Sequence, residues 1–158
     1  MKEKTAMRGE YRIEARDAET GALLWVQRFK NQLTAINREI RTQMLQGTFA
    51  GPLDALQIKY FAFGTGATPA TVNDTALVSE SMRKQVTQMT QPAAGTVQTI
   101  CSLGTEEANF NIREVGVFGG PDATTAVGSG TLLSRAVVNI EKNSNIVLNI
   151  VRQDVCTI

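Results

Sequence analysis

Histidine does not occur anywhere in the 158 residues. Its absence removes the commonest general acid–base group and the commonest metal ligand. Ser-His-Asp and Cys-His hydrolases are excluded, as are zinc sites that need imidazole. Catalysis by carboxylates alone or by lysine survives that argument. Cysteine is scarce too: Cys101 and Cys156 stand far from each other in sequence and fit no metal-ligand spacing. They read as two buried or semi-buried thiols, with a bond between them left open. Charge of one sign is missing, since sixteen Lys and Arg against fifteen Asp and Glu leave a net +1. A chain so balanced has no global field to draw in nucleic acid or an anionic membrane surface. No apolar run approaches a membrane span, and the polar opening Met1-Lys2-Glu3-Lys4 is not a secretory signal. The expectation is a protein made in the cytosol, with neither membrane nor nucleic acid among its partners.

What is present is an ordinary globular composition, 42% hydrophobic and 20% charged. The length suits one domain with a real core. We read residues 1–158 as a single β-rich domain, with residues 1–10 as a flexible N-terminal arm. Tyr11, Ile13 and Ala15 alternate with Arg12, Glu14 and Arg16 as in a half-buried strand. Asp17 to Gly21 reads as a turn, and Leu23 to Phe29 as the second strand of a hairpin. Thr34 is placed to cap a helix from Ala35 to Gln46 that Gly47 stops. Ile36, Ile40 and Met44 share one face of it, widened by Leu33 and Leu45. A strand over Leu56 to Phe63 breaks at Gly64, Gly66 and Pro69, and Asp74 is a plausible cap for a second short helix, Thr75 to about Met82.

From Arg83 onward the pattern is almost wholly β. A turn at Pro92 to Gly95 precedes a strand over Val97 to Leu103. Phe110 to Phe118 is a strand rich in β-branched residues, and Gly119 to Gly130 is a long mobile loop. Thr131 to Ile140 and Asn145 to Gln153 are expected to form a second hairpin. Six or seven short strands with one early helix predict a mainly β chain. The expected architecture is an antiparallel β-sandwich or open barrel with one inserted amphipathic helix and a second short helix.

None of the eye-catching residues assembles into a reactive site. Gly64-Thr65-Gly66 is followed by Ala67-Thr68-Pro69, not by the Gly-Lys-Ser/Thr of a phosphate loop, so it reads as a strand end that turns sharply. Arg113 and Glu114 point to opposite sides of their strand. One of them is expected to be buried against a group from another element. Glu114 as a catalytic carboxylate has no partner acid or base at a telling spacing. Glu106 and Glu107 lie outside any calcium-loop pattern. Asn73-Asp74-Thr75 matches a glycosylation acceptor by pattern alone. Trp25 with Phe29 is a candidate sugar-stacking platform, although aromatics on one strand face usually belong to a core. We therefore expect no catalytic, cofactor-binding or metal site and no cofactor.

Four segments nevertheless carry a signature by their order: Phe63-Gly64-Thr65-Gly66, Asp74-Thr75-Ala76-Leu77, Ile112-Arg113-Glu114-Val115-Gly116-Val117-Phe118 and Leu133-Ser134-Arg135-Ala136. In this order they resemble a family of tailed-bacteriophage virion structural proteins of tail-fibre, tail-collar or head-decoration type, over roughly residues 31–151. The resemblance implies a β-rich domain without enzymatic activity, commonly a homotrimer, whose partners are other phage structural proteins of tail, collar, baseplate or capsid. It implies no ligand residue. Fibre proteins usually continue into a repetitive shaft, and this sequence stops at Ile158. An adaptor or attachment subunit of the tail, collar, baseplate or fibre is thus the expected role. Capsid decoration is the alternative, and a carbohydrate-binding module a more distant one. The residues before Tyr11 and the Gly119–Gly130 loop are the expected contact elements.

Overall fold

The computed structural model describes residues 6–157, with side chains for residues 9–155. In chain order the described residues form β1 (Ala6–Asp17), β2 (Leu23–Lys30), β3 (Gln32–Leu33), α1 (Ala35–Gln46), β4 (Ile58–Gly64), β5 (Glu80–Gln85), β6 (Gln88–Ala93), β7 (Thr96–Leu103), β8 (Asn111–Gly119), β9 (Thr131–Glu141) and β10 (Ile146–Thr157). The chain is mainly β, with two antiparallel five-stranded sheets and one helix, and neither sheet closes on itself. It divides into two units, each assembled from separated stretches of sequence.

The first unit takes in Met1–Asn31, Val86–Asn109 and Lys142–Ile158, and its sheet runs β2-β1-β10-β7-β6. The expected β1–β2 hairpin is present. Gly21 takes φ 72°, and the Asp17 carboxylate accepts the Thr20 N–H at 2.7 Å and the Thr20 hydroxyl at 2.9 Å. Those Thr20 bonds hold the Asp17 carboxyl below its ordinary pKa. Strand alternation gives the sheet a buried face, on which Ile13 and Ala15 stand opposite Ile150 and Leu148, with Cys101 and Leu103 on the next strand. Arg152 is buried on the same face. Its guanidinium grips Asp154 through two bonds of 2.7 Å and donates to the Tyr11 hydroxyl at 3.0 Å. Cys101 is buried, as expected, while the Cys156 side chain lies outside the described residues. The ladder sets Cys101 opposite Ile150, six residues along β10 from Cys156, or about 20 Å at strand rise. A disulfide cannot span that distance.

The second unit takes in Gln32–Gln85 and Phe110–Glu141, with sheet order β3-β9-β8-β4-β5. β8 lies inside this sheet, and Val115, Gly116, Val117 and Phe118 are all buried. Phe118 packs with Ala62, Leu77 and Leu132. Gly116 is needed there, because a Cβ would run into the Leu77 methyl and lie 3.0 Å from a Leu132 methyl. The helix has the expected bounds. Thr34 accepts the Asn37 N–H, and Gly47 closes the end at φ 70°. Its buried face differs from the expected apolar stripe. Asn37 and Ile40 are buried, while Ile36, Met44 and Leu45 are exposed. Hydrogen bonds decide the orientation: the Thr34 hydroxyl donates to the Leu132 carbonyl at 2.8 Å and the Asn37 amide to the Leu133 carbonyl at 2.9 Å.

Several expectations are corrected. The second short helix, Thr75 to about Met82, does not form; residues 75–79 are irregular and β5 begins at Glu80. Val78 and Ser79 give their N–H groups to the Glu114 carboxylate and so cannot feed a helical ladder. β9 and β10 are not a hairpin: β9 pairs with β8 and β3, and β10 with β1 and β7. The twelve-rung ladder between β1 and β10 claims the last strand. Residues 6–10 of the expected flexible arm belong to β1, and residues 1–5 lie outside the described residues. The strands number ten among the described residues, because β3, β5 and β6 are short or polar and lack the alternation by which strands are read. Pro92 is tolerated within β6 because that strand is an edge.

Candidate functional site

All four signature segments meet in the second unit. Glu114 projects from β8 with no exposed surface, and Arg135 from β9 with 1% exposed. Glu114 Oε1 accepts the N–H of Gly66 at 3.1 Å and of Ser79 at 2.7 Å. Its Oε2 accepts the N–H of Val78 at 3.0 Å and the Nε of Arg135 at 2.7 Å. Arg135 continues outward, donating from Nη1 to Asp74 Oδ2 at 3.0 Å and from Nη2 to the Thr68 carbonyl at 2.8 Å. One carboxylate and one guanidinium thus clamp both arms of the 64–79 loop onto the sheet.

The glycines of Phe63-Gly64-Thr65-Gly66 follow from this clamp. A Cβ at Gly66 would sit 2.6 Å from Glu114 Oε1, and one at Gly64 would strike the Ser79 carbonyl oxygen. Asp74 ends as a strut rather than a helix cap. It accepts the Thr71 N–H at 3.0 Å and the Thr71 hydroxyl at 2.8 Å besides its bond from Arg135. Burial pushes its pKa up, but the Thr71 bonds and the Arg135 charge together outweigh burial and hold the carboxyl below its ordinary value.

The chemistry of this cluster is positional. A carboxylate offers roughly four acceptor sites, and Glu114 fills its two oxygens with four donors. It has no room to take a proton from a substrate. Sequence reasoning expected one of Arg113 and Glu114 to be buried against another element, and Glu114 is that residue. It did not single out Arg135 as the partner. The available signal was a lone cation inside the apolar stretch Leu132 to Val138, since Arg is almost never fully buried unless paired.

A second polar cluster fixes the Gly119–Gly130 loop. Arg83 is held by Glu80 through Nε at 2.6 Å and Nη2 at 3.0 Å, and lies 4.3 Å from the Phe118 ring centroid. Its Nη1 donates to the carbonyls of Thr124 at 3.1 Å and Ser129 at 2.8 Å. The loop expected to be mobile is therefore bonded to β5, with Thr124 to Gly128 exposed at its tip.

In the first unit, Phe29 stacks on Tyr11 with centroids 5.0 Å apart, and Trp25 is half-buried four residues earlier on β2, opposite Ala15. The Phe29 ring is thereby engaged, which removes half of the expected sugar platform. On the other side of that sheet Glu10, Arg12, Arg28, Gln98, Asn149 and Gln153 line a shallow groove of about 400 Å³. Among the described residues no cluster of three His, Cys, Asp or Glu side chains is placed to hold a metal ion, and no helix is long and apolar enough to cross a membrane.

The family model described as phage tail-collar fibre protein, N-terminal, matches residues 28–153. No curated protein and no solved structure matches the chain. The matched span encloses every residue of the Glu114–Arg135 clamp.

Proposed function

The chain belongs to the phage tail-collar fibre protein family, N-terminal part, and on that premise we propose that it is an adaptor that attaches one tail component to another. As a member of that family it is a structural component of the phage tail, hence of the virion, and it interacts with other tail proteins. The finer reading is a non-enzymatic homotrimer at the collar, baseplate or fibre base. The observation that carries it is the fully occupied Glu114–Arg135 clamp. The two most deeply buried ionic groups of the second unit hold a loop in place, and Glu114 keeps no free acceptor for chemistry. Attachment then falls to surface elements: sheet edges, the β1–β2 hairpin and the tip of the 119–130 loop. The tail-collar match favours the tail over capsid decoration.

Mass spectrometry of purified particles, with antibody-labelled electron microscopy, tests this reading. The expected result is this chain on the tail in a multiple of three copies, with the isolated protein trimeric by light scattering. Its absence from particles, or its placement on the capsid, would contradict the proposal. Deleting Thr124 to Gly128 is a poor probe of the loop, because Thr124 and Gly128 bond Arg83 and Glu80. Val127→Asp, at an exposed position of the tip, leaves those bonds intact and should reduce incorporation.

A further inference from the structure

Among the described residues the first unit's sheet has two edge strands, β2 and β6, and they are built differently. β6 ends in Pro92-Ala93, pairs with β7 through an irregular register and carries Met89 as its one large apolar side chain. Proline and a bulge are devices that blunt an edge against pairing. β2 has neither. It runs eight residues, Leu23–Lys30, without proline or glycine. Leu23, Leu24 and Val26 on it are 50%, 47% and 37% exposed. In the other sheet the edges are a two-residue strand, β3, and a strand rich in charge, β5. A long edge that leaves apolar side chains in water is a template for another strand.

Charge identifies the occupant. Arg28 of β2 stands directly opposite Arg12 of β1, and two like charges on one rung repel. Arg12 is neutralised by its ion pair with Glu14. Arg28 is exposed and makes no ion pair among the described residues. Lys30, two residues on, shares its side of the strand but stands opposite Glu10 of β1, so Arg28 is the unbalanced charge, and β2 contains no acid. A second copy of β2 fits badly. Antiparallel self-pairing through Gln27 would bring Arg28 and Arg12 of both copies close together on one side. A strand that offers a carboxylate opposite Arg28, and apolar residues opposite Leu24 and Val26, satisfies both the edge and the charge.

We propose that β2 is the docking edge of this protein and that it accepts an extended segment of a different tail protein, in which a carboxylate accompanies apolar residues, as a sixth strand. This deepens the adaptor reading and rests on it.

A photoreactive amino acid incorporated at Leu24 tests it in assembled particles, with the exposed Leu53 as a control position. The expected product joins Leu24 to a segment of another virion protein in which a carboxylate accompanies apolar residues. Arg28→Glu should lower incorporation about tenfold, as for loss of one close charge pair, with the thermal midpoint of the isolated protein unchanged. A Leu24 crosslink to a second copy of this chain would overturn the proposal, and so would particles that contain the chain but give no Leu24 crosslink. Full incorporation of Arg28→Glu would overturn the charge assignment. If the chain is missing from particles altogether, the adaptor reading itself fails, which separates the two claims.

Discussion

The two units use buried arginine in opposite ways. In the second unit Arg135 joins residues far apart in sequence: Glu114 on the neighbouring sheet segment, Thr68 and Asp74 in the loop. In the first unit Arg152 grips Asp154, two residues along its own strand, and one cross-strand hydroxyl, Tyr11. The first arrangement defines a loop that no local propensity would hold. The second fills a rung of a ladder that strand pairing already specifies. The second unit also lies wholly inside the family match, whereas most of β1 and β2 in the first unit precedes it. The signature segments encode a clamp, whereas β1 and β2 are held by strand pairing and lie outside those segments.

That contrast can be broken most severely at Glu114. Glu114→Ala strands a buried guanidinium and releases three backbone N–H groups. It should destabilise the protein by about 3–5 kcal/mol, read from the urea unfolding midpoint. Arg152→Ala should cost less, about 2 kcal/mol, because its bonds are local and Asp154 is partly exposed to water. Equal losses at the two sites would remove the distinction between clamp and rung.

Gly66→Ala is the next sharpest probe. The added methyl meets Glu114 Oε1, and overpacking of this kind costs about 1–3 kcal/mol. Gly21, with positive φ in open space, and Gly66, crowded at ordinary φ, then separate two uses of glycine. Gly21→Asn should be tolerated and Gly66→Asn should not.

Acid offers a milder test. Asp74 is held below its ordinary pKa in the folded state. Its contribution is fully present above the unfolded carboxylate value, about 3.9, and is lost as pH falls through the depressed folded value. Stability of the wild type should therefore fall more steeply below about pH 4 than that of Asp74→Asn, whose loss is already present at neutral pH. Parallel acid limbs would mean that Asp74 adds nothing to the clamp. The smallest effect is expected on β2. Leu24→Ser and Arg28→Glu should leave stability within about 0.5 kcal/mol, since their side chains face water in the isolated chain.

Where side chains followed a simple period, the sequence was legible. The β1–β2 hairpin, the helix from Thr34 to Gly47 and the β8 strand all carry their own signals. The errors arose where a distant group overrode a local preference. Asp74-Thr75-Ala76-Leu77 looks like a helix start until Glu114 takes the N–H groups of Val78 and Ser79. The helix stripe of Ile36 and Met44 looks like a core face until Asn37 finds a carbonyl of β9. The β9–β10 hairpin looks natural by sequence distance, yet β10 is claimed by β1 from the far end of the chain. The family signature was readable before its physical meaning was. Gly66, Asp74, Glu114 and Arg135 each stand in one of its segments, and only the fold shows that they form one bonded network.

A double-mutant cycle on Glu114→Gln and Arg135→Met, followed by urea unfolding, tests the clamp most directly. Each single change should lose several kcal/mol, and the double variant should recover at least about 1 kcal/mol relative to their sum, as for residues in one bonded network. Strict additivity would show that the two side chains stabilise the protein independently, and that the signature segments do not encode a clamp.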